Sequence, residues 1–217
     1  MKINCVVFDL DGTLVSSHLT IYDTTVATMK KLGIRGDLPK EEFYSRLGHH
    51  FIDIFREFNI EIPDFEKFIS IYKSLYFGFI NTSSLYPGVT ETLTRLKKNK
   101  VKTALLTTKG QDQAEKISAY FKIDKYLDYI MGRRDGIANK PSPEPLEIIL
   151  NELGVQKSQS LMVGDTELDI QCGKNAGIWT CAVTFGYRKA KELINERPDF
   201  VIDNFEKIFN IVMENKG

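Results

Sequence analysis

Near its start the chain reads Phe8-Asp9-Leu10-Asp11-Gly12-Thr13, where an apolar run that begins at Ile3 ends in two aspartates. The run is short and nearly continuous in apolar residues, which is typical of a parallel strand buried on both faces. Residues two apart in a strand lie on the same side, so Asp9 and Asp11 are predicted to lie together. Two carboxylates held close are costly unless a cation lies between them, and the carboxyl end of a parallel sheet is where α/β proteins bind ligands. The segment therefore predicts a divalent-metal site at the end of the first strand.

An isolated Asp-Gly pair more often begins a tight turn whose acidic side chains are simply solvated. The longer pattern Asp-x-Asp-Gly-Thr weakens that interpretation, because it should arise by chance in roughly one chain of this length per thousand. Its place at the end of the first predicted strand favours a functional role.

The rest of the chain alternates between strand and helix patterns. The short apolar runs that predict strands are residues 3–10, 103–107, 129–131, 161–163, 179–185 and 200–202. A helical pattern is clearest at residues 145–153, where Gly154 supplies a stop. This alternation predicts an α/β fold with a doubly wound, Rossmann-like parallel sheet.

Residues 15–84 lie between the first predicted strand and Tyr86-Pro87-Gly88, a turn signal that marks the return to the core. These 70 residues are too many for a structureless loop. Apolar residues recur at helical spacing within this interval, beginning with Tyr22, Val26 and Met29, then Phe51 to Phe58, and most clearly from Phe65 to Phe79. We therefore expect a small all-helical domain at residues 15–84, inserted into a catalytic core of residues 1–14 and 85–217. Its aromatic stripe is interpreted as packing rather than as the lining of a ligand pocket.

Two further segments offer groups that could bind an anion. Leu106-Thr107-Thr108-Lys109-Gly110 places hydroxyl and backbone donors before a helix predicted to begin near Gln111, although a threonine there could simply cap that helix. Lys140 is followed by Pro141, which restricts the backbone and keeps the lysine out of a helix. A rigidly mounted lysine favours a functional role, and we expect it to neutralise phosphate.

The fourth segment is Val163-Gly164-Asp165-Thr166-Glu167-Leu168-Asp169, another apolar strand that runs into acidic residues. Asp165 could complete the metal site, whereas capping of the following helix suits Asp169 better. Carboxylate oxygens completed by water and phosphate are suited to Mg²⁺. The predicted cofactor is therefore Mg²⁺.

These four segments, in this order, resemble the four motifs of the haloacid dehalogenase superfamily of phosphohydrolases. The resemblance spans residues 3–203, and the helical insert resembles the cap of phosphoglycolate phosphatases and related small-molecule phosphatases. It implies a magnesium-dependent phosphatase that forms an aspartyl-phosphate. By this resemblance Asp9 is the nucleophile and Asp11 the general acid and base, while Thr107 and Lys140 hold the phosphate.

The same resemblance makes Asp165 a magnesium ligand together with Asp9 and Asp11, and gives Asp169 a supporting role. Thr108 joins the phosphate-binding residues, although many relatives carry asparagine or serine at its position. The cap is expected to close over the substrate and to select the leaving group. Candidates for that selection are Arg46, His49 and His50, which surround Gly48; surface or capping roles are the alternative.

Several other functions remain open from the sequence. A phosphomutase of the same superfamily would use the same aspartyl-phosphate, but the Gly164-Asp165 pair resembles the phosphatases. A dehalogenase is disfavoured because relatives that attack carbon lack the second aspartate of the first motif, which is Asp11 here. An inorganic pyrophosphatase and a catalytically silent binding module also fit the motifs.

Composition narrows the partners and the compartment. Lys+Arg and Asp+Glu each total 29 among 217 residues, so no overall positive field would attract nucleic acid or an anionic membrane. The first residues fit no signal peptide, and no apolar stretch approaches the roughly eighteen residues of a membrane helix. Three cysteines at spacings that match no zinc or redox pattern suit a reducing cytoplasm. We expect a small phosphate ester as the partner, and the oligomeric state stays open.

Overall fold

A central parallel sheet organises the larger part of the chain. Residues 3–214, which the computed structural model describes, contain strands β1 (Cys5–Phe8), β2 (Val15–Ser16), β3 (Ser84–Leu85), β4 (Lys102–Gly110), β5 (Tyr129–Arg133), β6 (Ser160–Gly164), β7 (Trp179–Val183) and β8 (Phe200–Ile202). Six of them form one sheet in the order β5-β4-β1-β6-β7-β8, and its neighbouring strands pair in parallel. β2 and β3 form a separate two-stranded ribbon. All six predicted strand segments are therefore present in the sheet.

Helices lie between most of the strands and after the last one. In the described residues they are α1 (His18–Leu32), α2 (Lys40–Tyr44), α3 (Phe51–Glu57), α4 (Phe65–Phe79), α5 (Val89–Lys98), α6 (Gln111–Tyr120), α7 (Glu144–Leu153), α8 (Glu167–Ala176), α9 (Ala190–Asn195) and α10 (Lys207–Glu214). α7 ends at Gly154, as the sequence predicts, because glycine adopts the left-handed conformation there without a steric penalty (φ 64°).

The two faces of the sheet are covered by different helices. Successive residues of a strand point to opposite faces. On one face Cys5 and Val7 of β1 belong to a buried apolar cluster with Leu146 of α7 and Cys172 of α8. On the other face the ring of Phe8 stacks on Phe205, just before α10, with 5.6 Å between the ring centroids. Burial on both faces explains the continuous apolar strands, and the predicted doubly wound α/β fold is confirmed.

The chain divides into two compact units. One comprises the described residues up to Val15 together with those from Leu85 onward, and the other is Ser16–Ser84. The second unit contains α1 to α4, and aromatic side chains form much of its core. The ring of Phe51 lies 5.0 Å from that of Tyr72, and the ring of Phe55 lies 5.1 Å from that of Phe68. These contacts agree with the packing interpretation of the aromatic stripe.

The buried face of α1 differs from the predicted apolar face. Val26 is 40% exposed, so its place on that face is a wrong prediction, while Thr24, Thr25 and Thr28 are fully buried. Each of these three hydroxyls donates to the backbone carbonyl four residues earlier, at 2.6 to 2.7 Å. A threonine that satisfies its own hydroxyl in this way can be buried at low cost. Apolar periodicity therefore predicted only part of the buried face, which includes Met29 but not Val26.

Two observations concern the expected compartment. Within residues 3–214, none of the helices combines the length and the apolar character that crossing a membrane requires. Cys5, Cys172 and Cys181 are buried and carry free thiols. The cytoplasmic location stays a prediction.

Candidate active site

The predicted site segments meet at one edge of the sheet. β1 lies between β4 and β6, so Asp9 after β1, Thr107 near the end of β4 and Asp165 after β6 lie at neighbouring strand ends. The connections leave β1 in opposite directions, with β4 and β5 on one side and β6 to β8 on the other. Such a reversal opens a crevice at the carboxyl ends of the strands, where doubly wound proteins bind ligands.

Lys140 joins two of the predicted aspartates. Its Nζ lies 2.8 Å from Oδ1 of Asp9 and 2.5 Å from Oδ1 of Asp169. The lysine is 8% exposed, Asp9 is 6% exposed and Asp169 is fully buried. Loss of either partner from ion pairs this deep would be strongly destabilising, because it would leave a buried charge uncompensated.

Asp165 is held by neighbours from two other segments. The hydroxyl of Thr13 donates to its Oδ1 at 3.0 Å, and the backbone N–H of Tyr187 donates to its Oδ2 at 2.8 Å. Gly12 and Gly186 enclose the same side chain, since a Cβ on either would come within 2.2 Å of an Asp165 atom. The glycine of the first motif is therefore required by close approach as well as by its positive φ of 85°.

Asp169 lies in the first turn of α8. Its Oδ2 accepts hydrogen bonds from the backbone N–H of Thr166 at 3.0 Å and from the hydroxyl of Thr166 at 2.7 Å. The expected capping role of Asp169 is thus present as part of a capping box. Because Oδ1 of the same carboxylate contacts Lys140, Asp169 also links the end of β6 to the lysine.

Three carboxylates form a cluster suited to a cation. Asp9, Asp165 and Asp169 each offer an oxygen within 4.8 Å of the others. One lysine against three buried carboxylates leaves an excess of negative charge, and hard oxygen ligands of this kind fit Mg²⁺. Among the described residues this group differs from the predicted metal set, because it contains Asp169 and lacks Asp11.

The pKa values of Asp9, Asp165 and Lys140 are all raised, those of the two aspartates mainly by burial and that of the lysine by the neighbouring carboxylates. Burial raises the pKa of Asp9 well above its usual range; Lys140 opposes this shift, and the charges of Asp169 and Asp165 add to it. Burial also raises the pKa of Asp165 to about 7, with a further increase from Asp169. Burial alone would lower the pKa of Lys140, but Asp169 and Asp9 outweigh it and the pKa is raised. A divalent cation in the cluster would favour the ionised carboxylates.

Asp11 has a different partner from Asp9. Its Oδ2 lies 3.3 Å from Nζ of Lys109, in a pair whose side chains are 16% and 10% exposed respectively. The pairing of β4 with β5 shifts register between Leu106 and Gly110, an irregularity that re-aims side chains next to a site. Within it the Thr107 hydroxyl accepts from the N–H of Lys109 at 3.3 Å, and Thr108 is half-buried.

Most of the chain matches a known protein family. The family model described as "Haloacid dehalogenase-like hydrolase" matches residues 6–183 of the 217-residue chain. The chain belongs to the haloacid dehalogenase-like hydrolase family. It is a phosphatase, a hydrolase that acts on phosphate esters.

Relatives of this haloacid dehalogenase-like hydrolase match it over almost its whole length. It is 32% identical over 213 residues to pyrophosphatase PpaX of Halalkalibacterium halodurans, with 98% of each chain covered. It is also 32% identical over 217 residues to pyrophosphatase PpaX of Bacillus cereus, with 99% of this chain and 98% of the relative covered. A solved structure from Haemophilus somnus, named as a predicted phosphoglycolate phosphatase, has a TM-score of 0.83 and 25% identity, and the match covers 97% of this chain and 98% of that one.

The haloacid dehalogenase-like motifs did not reveal every residue that shapes the site. Lys109 lies inside the second motif and Thr13 inside the first, yet the sequence alone assigned neither of them a partner. Gly186 and Tyr187 lie outside the four motifs and carry no local pattern. Their contacts with Asp165 form only in the folded protein, where the loop after β7 lies against the end of β6.

The three cap candidates lie in the Ser16–Ser84 unit. Arg46 forms an ion pair with Glu57, and both side chains are about half exposed, at 48% and 49%. His50 is the N-cap of α3, and its Nδ1 accepts the N–H of Ile52 at 3.4 Å. His49 is exposed. The capping alternative therefore applies to His50, and a role of these residues in substrate selection stays a prediction.

Proposed function

We propose that the protein hydrolyses a small phosphate compound with Mg²⁺, through an aspartyl-phosphate formed on Asp9. The observation that carries this proposal is the position of the Asp9 carboxylate, which lies 2.8 Å from Nζ of Lys140 within a buried carboxylate cluster. Attack on a phosphate by a carboxylate needs nearby positive charge, which Lys140 and a metal ion held by the carboxylate cluster would supply.

The electrostatic demand of this reaction is large. A carboxylate and a phosphate dianion repel each other, and the repulsion grows several-fold as water is excluded. Lys140 offsets part of it, and its raised pKa keeps the amine charged. Asp9 and Asp165, with Asp169 in support, would hold Mg²⁺, which supplies further positive charge for the phosphoryl oxygens.

The remaining motif residues have roles in proton transfer and phosphate binding. Asp11 protonates the leaving oxygen and then takes a proton from the water that hydrolyses the aspartyl-phosphate. Thr107 and Thr108 offer donors at the end of β4, where the phosphate is held beside Lys140. The separate partners of Asp9 and Asp11, Lys140 and Lys109, are consistent with separate roles for the two carboxylates.

Two substrates are the first to test. Pyrophosphate ranks first because two relatives named pyrophosphatase PpaX are 32% identical to this chain over nearly their whole length. Phosphoglycolate follows because a neighbour of the same fold, named as a predicted phosphoglycolate phosphatase, is 25% identical. Both are small anions that a single phosphate-binding site could accept.

The experiment measures phosphate release from pyrophosphate, phosphoglycolate, sugar phosphates and nucleoside monophosphates, with and without Mg²⁺. The variants are Asp9→Asn and, as a matched control, Asp203→Asn, whose side chain is 72% exposed and pairs with Lys207. We expect magnesium-dependent release that Asp9→Asn abolishes and Asp203→Asn preserves. Intact-mass analysis of Asp11→Asn after mixing with substrate should detect a covalently bound phosphoryl group.

Other outcomes would favour the alternatives. Turnover that requires a sugar bisphosphate would indicate a phosphomutase. No release from any compound, with no phosphoryl group on the protein, would indicate a silent binding module. Full activity in Asp9→Asn would refute the proposal.

A further inference from the structure

Asp165 depends on a loop that none of the four motifs includes. Residues 184–189 connect β7 to α9, and the N–H of Tyr187 in this loop donates to Oδ2 of Asp165 at 2.8 Å. Gly186 approaches so closely that a Cβ there would lie 2.2 Å from Cβ of Asp165. The position of the loop therefore determines the orientation of a carboxylate in the proposed metal site.

The next residue of the loop, Arg188, is anchored on the first turn of α8. Its Nε lies 2.7 Å from Oε2 of Glu167, and its Nη2 lies 3.2 Å from Oε1. Each of the two nitrogens thus donates to a different oxygen of the carboxylate, and this bidentate arrangement fixes direction as well as distance. The side chain of Arg188 is 6% exposed and that of Glu167 is 26% exposed.

This pair joins the loop to the segment that presents Asp165 and Asp169. Glu167 is the first residue of α8 and follows Asp165 by two residues, while Asp169 lies in the same turn. Arg188 follows Tyr187, whose N–H contacts Asp165. The loop is therefore attached to this segment at two neighbouring points: Tyr187 contacts Asp165, and Arg188 contacts Glu167.

We infer that Arg188 is a positioning residue for the metal site: its pairing with Glu167 holds the N–H of Tyr187 against Asp165. The inference rests on the proposed function, because it concerns residues that would hold Mg²⁺. Groups outside the ligand set that orient metal ligands commonly change metal affinity by about 10- to 100-fold when they are removed. A glycine at position 186 makes the loop easy to displace, so the arginine anchor is needed to keep the N–H in place.

The test compares Mg²⁺ binding by the full-length wild type with that of Arg188→Met, Arg188→Lys, Glu167→Gln and the double variant. Isothermal titration with MgCl₂ in the absence of substrate gives the affinity without reference to turnover. The increase in melting temperature on addition of Mg²⁺ gives a second readout, since binding to the folded state alone raises stability. The control is Arg95→Met, because Arg95 packs 3.7 Å from the ring centroid of Phe209, between α5 and α10, which carry no proposed site residue.

We expect Arg188→Met to weaken Mg²⁺ binding by about 10- to 100-fold, with a partial recovery in Arg188→Lys, which keeps the charge but loses the bidentate contact. Glu167→Gln should weaken binding, and the double variant should lose no more than the worse single variant if the two residues act through each other. Arg95→Met should bind as the wild type does. If Arg188→Met fails to fold, Arg188→Lys and Glu167→Gln carry the comparison.

Mg²⁺ affinity within about threefold of the wild type in Arg188→Met, or in both Arg188→Lys and Glu167→Gln, would overturn the inference, since outer-shell residues that orient ligands have larger effects. The proposed function fails differently. In that case the wild type itself would bind no Mg²⁺ or would release no phosphate, and Asp9→Asn would make no difference.

Discussion

Replacement of Gly186 by alanine tests the enclosure of Asp165 with a single methyl group. The new Cβ would lie 2.2 Å from Cβ of Asp165 and 2.5 Å from its Cγ, against 3.4 Å or more for an ordinary contact. Asp165 or the loop must therefore move by about 1 Å. Gly186 is not among the glycines with a positive φ, so the backbone itself accepts alanine. The expected effect comes from the displaced carboxylate.

The magnitude follows from two known effects. Overpacking of a tight site costs about 1–3 kcal/mol of unfolding free energy, which lowers the melting temperature of a chain of this size by roughly 2–12 °C. A displacement of about 1 Å at a reacting centre costs on the order of 100-fold in rate. We therefore expect Gly186→Ala to remain folded and to lose most of its magnesium-dependent phosphate release.

The assay needs a control with a similar loss of stability and no contact with the site. Gly154→Ala provides it, because φ is 64° there and nothing lies within 4 Å of the new Cβ; the left-handed conformation should cost about 1–2 kcal/mol. Thermal unfolding and phosphate release are measured for both variants. Activity of Gly186→Ala within about threefold of Gly154→Ala would refute the predicted enclosure, since a misplaced catalytic group costs far more.

Two further predictions concern charge in the cluster. Burial raises the pKa of Asp165 from 3.8 to about 7, so the metal-free folded protein holds a proton that the unfolded chain releases, and its stability should fall as the pH rises between these values. Mg²⁺ should therefore raise the melting temperature more at about pH 8 than at about pH 5; an equal shift at both would contradict this. Lys140→Met should lose about 3–5 kcal/mol of unfolding free energy in urea, because Asp9 and Asp169 lose their partner. Lys157→Met, which breaks an exposed pair with Glu147, should lose less than about 1 kcal/mol, and similar losses in the two variants would contradict the prediction.

Much of the fold was predictable because its signals are local. Strands buried on both faces need continuous apolar runs, and all six runs in the sequence are strands of the sheet. The α7 helix ends at Gly154 as its pattern predicts. Where a signal was not apolar the prediction failed, as on α1, whose buried threonines satisfy their hydroxyls within the helix while Val26 is exposed.

The motifs also predicted which residue types gather at the sheet edge, because parallel strands end on the same side. Which carboxylates come together depended on contacts between distant segments. Asp169 joins Asp9 through Lys140, 131 residues away from Asp9 along the chain, while Asp11 turns to Lys109. A local sequence pattern cannot predict contacts between residues so far apart along the chain. The loop after β7, for example, contacts Asp165 only once the sheet has formed. The sequence by itself determined which residue types lie at the strand ends. Only the tertiary structure decided which of their charges form pairs, because each pair joins segments that are distant along the chain.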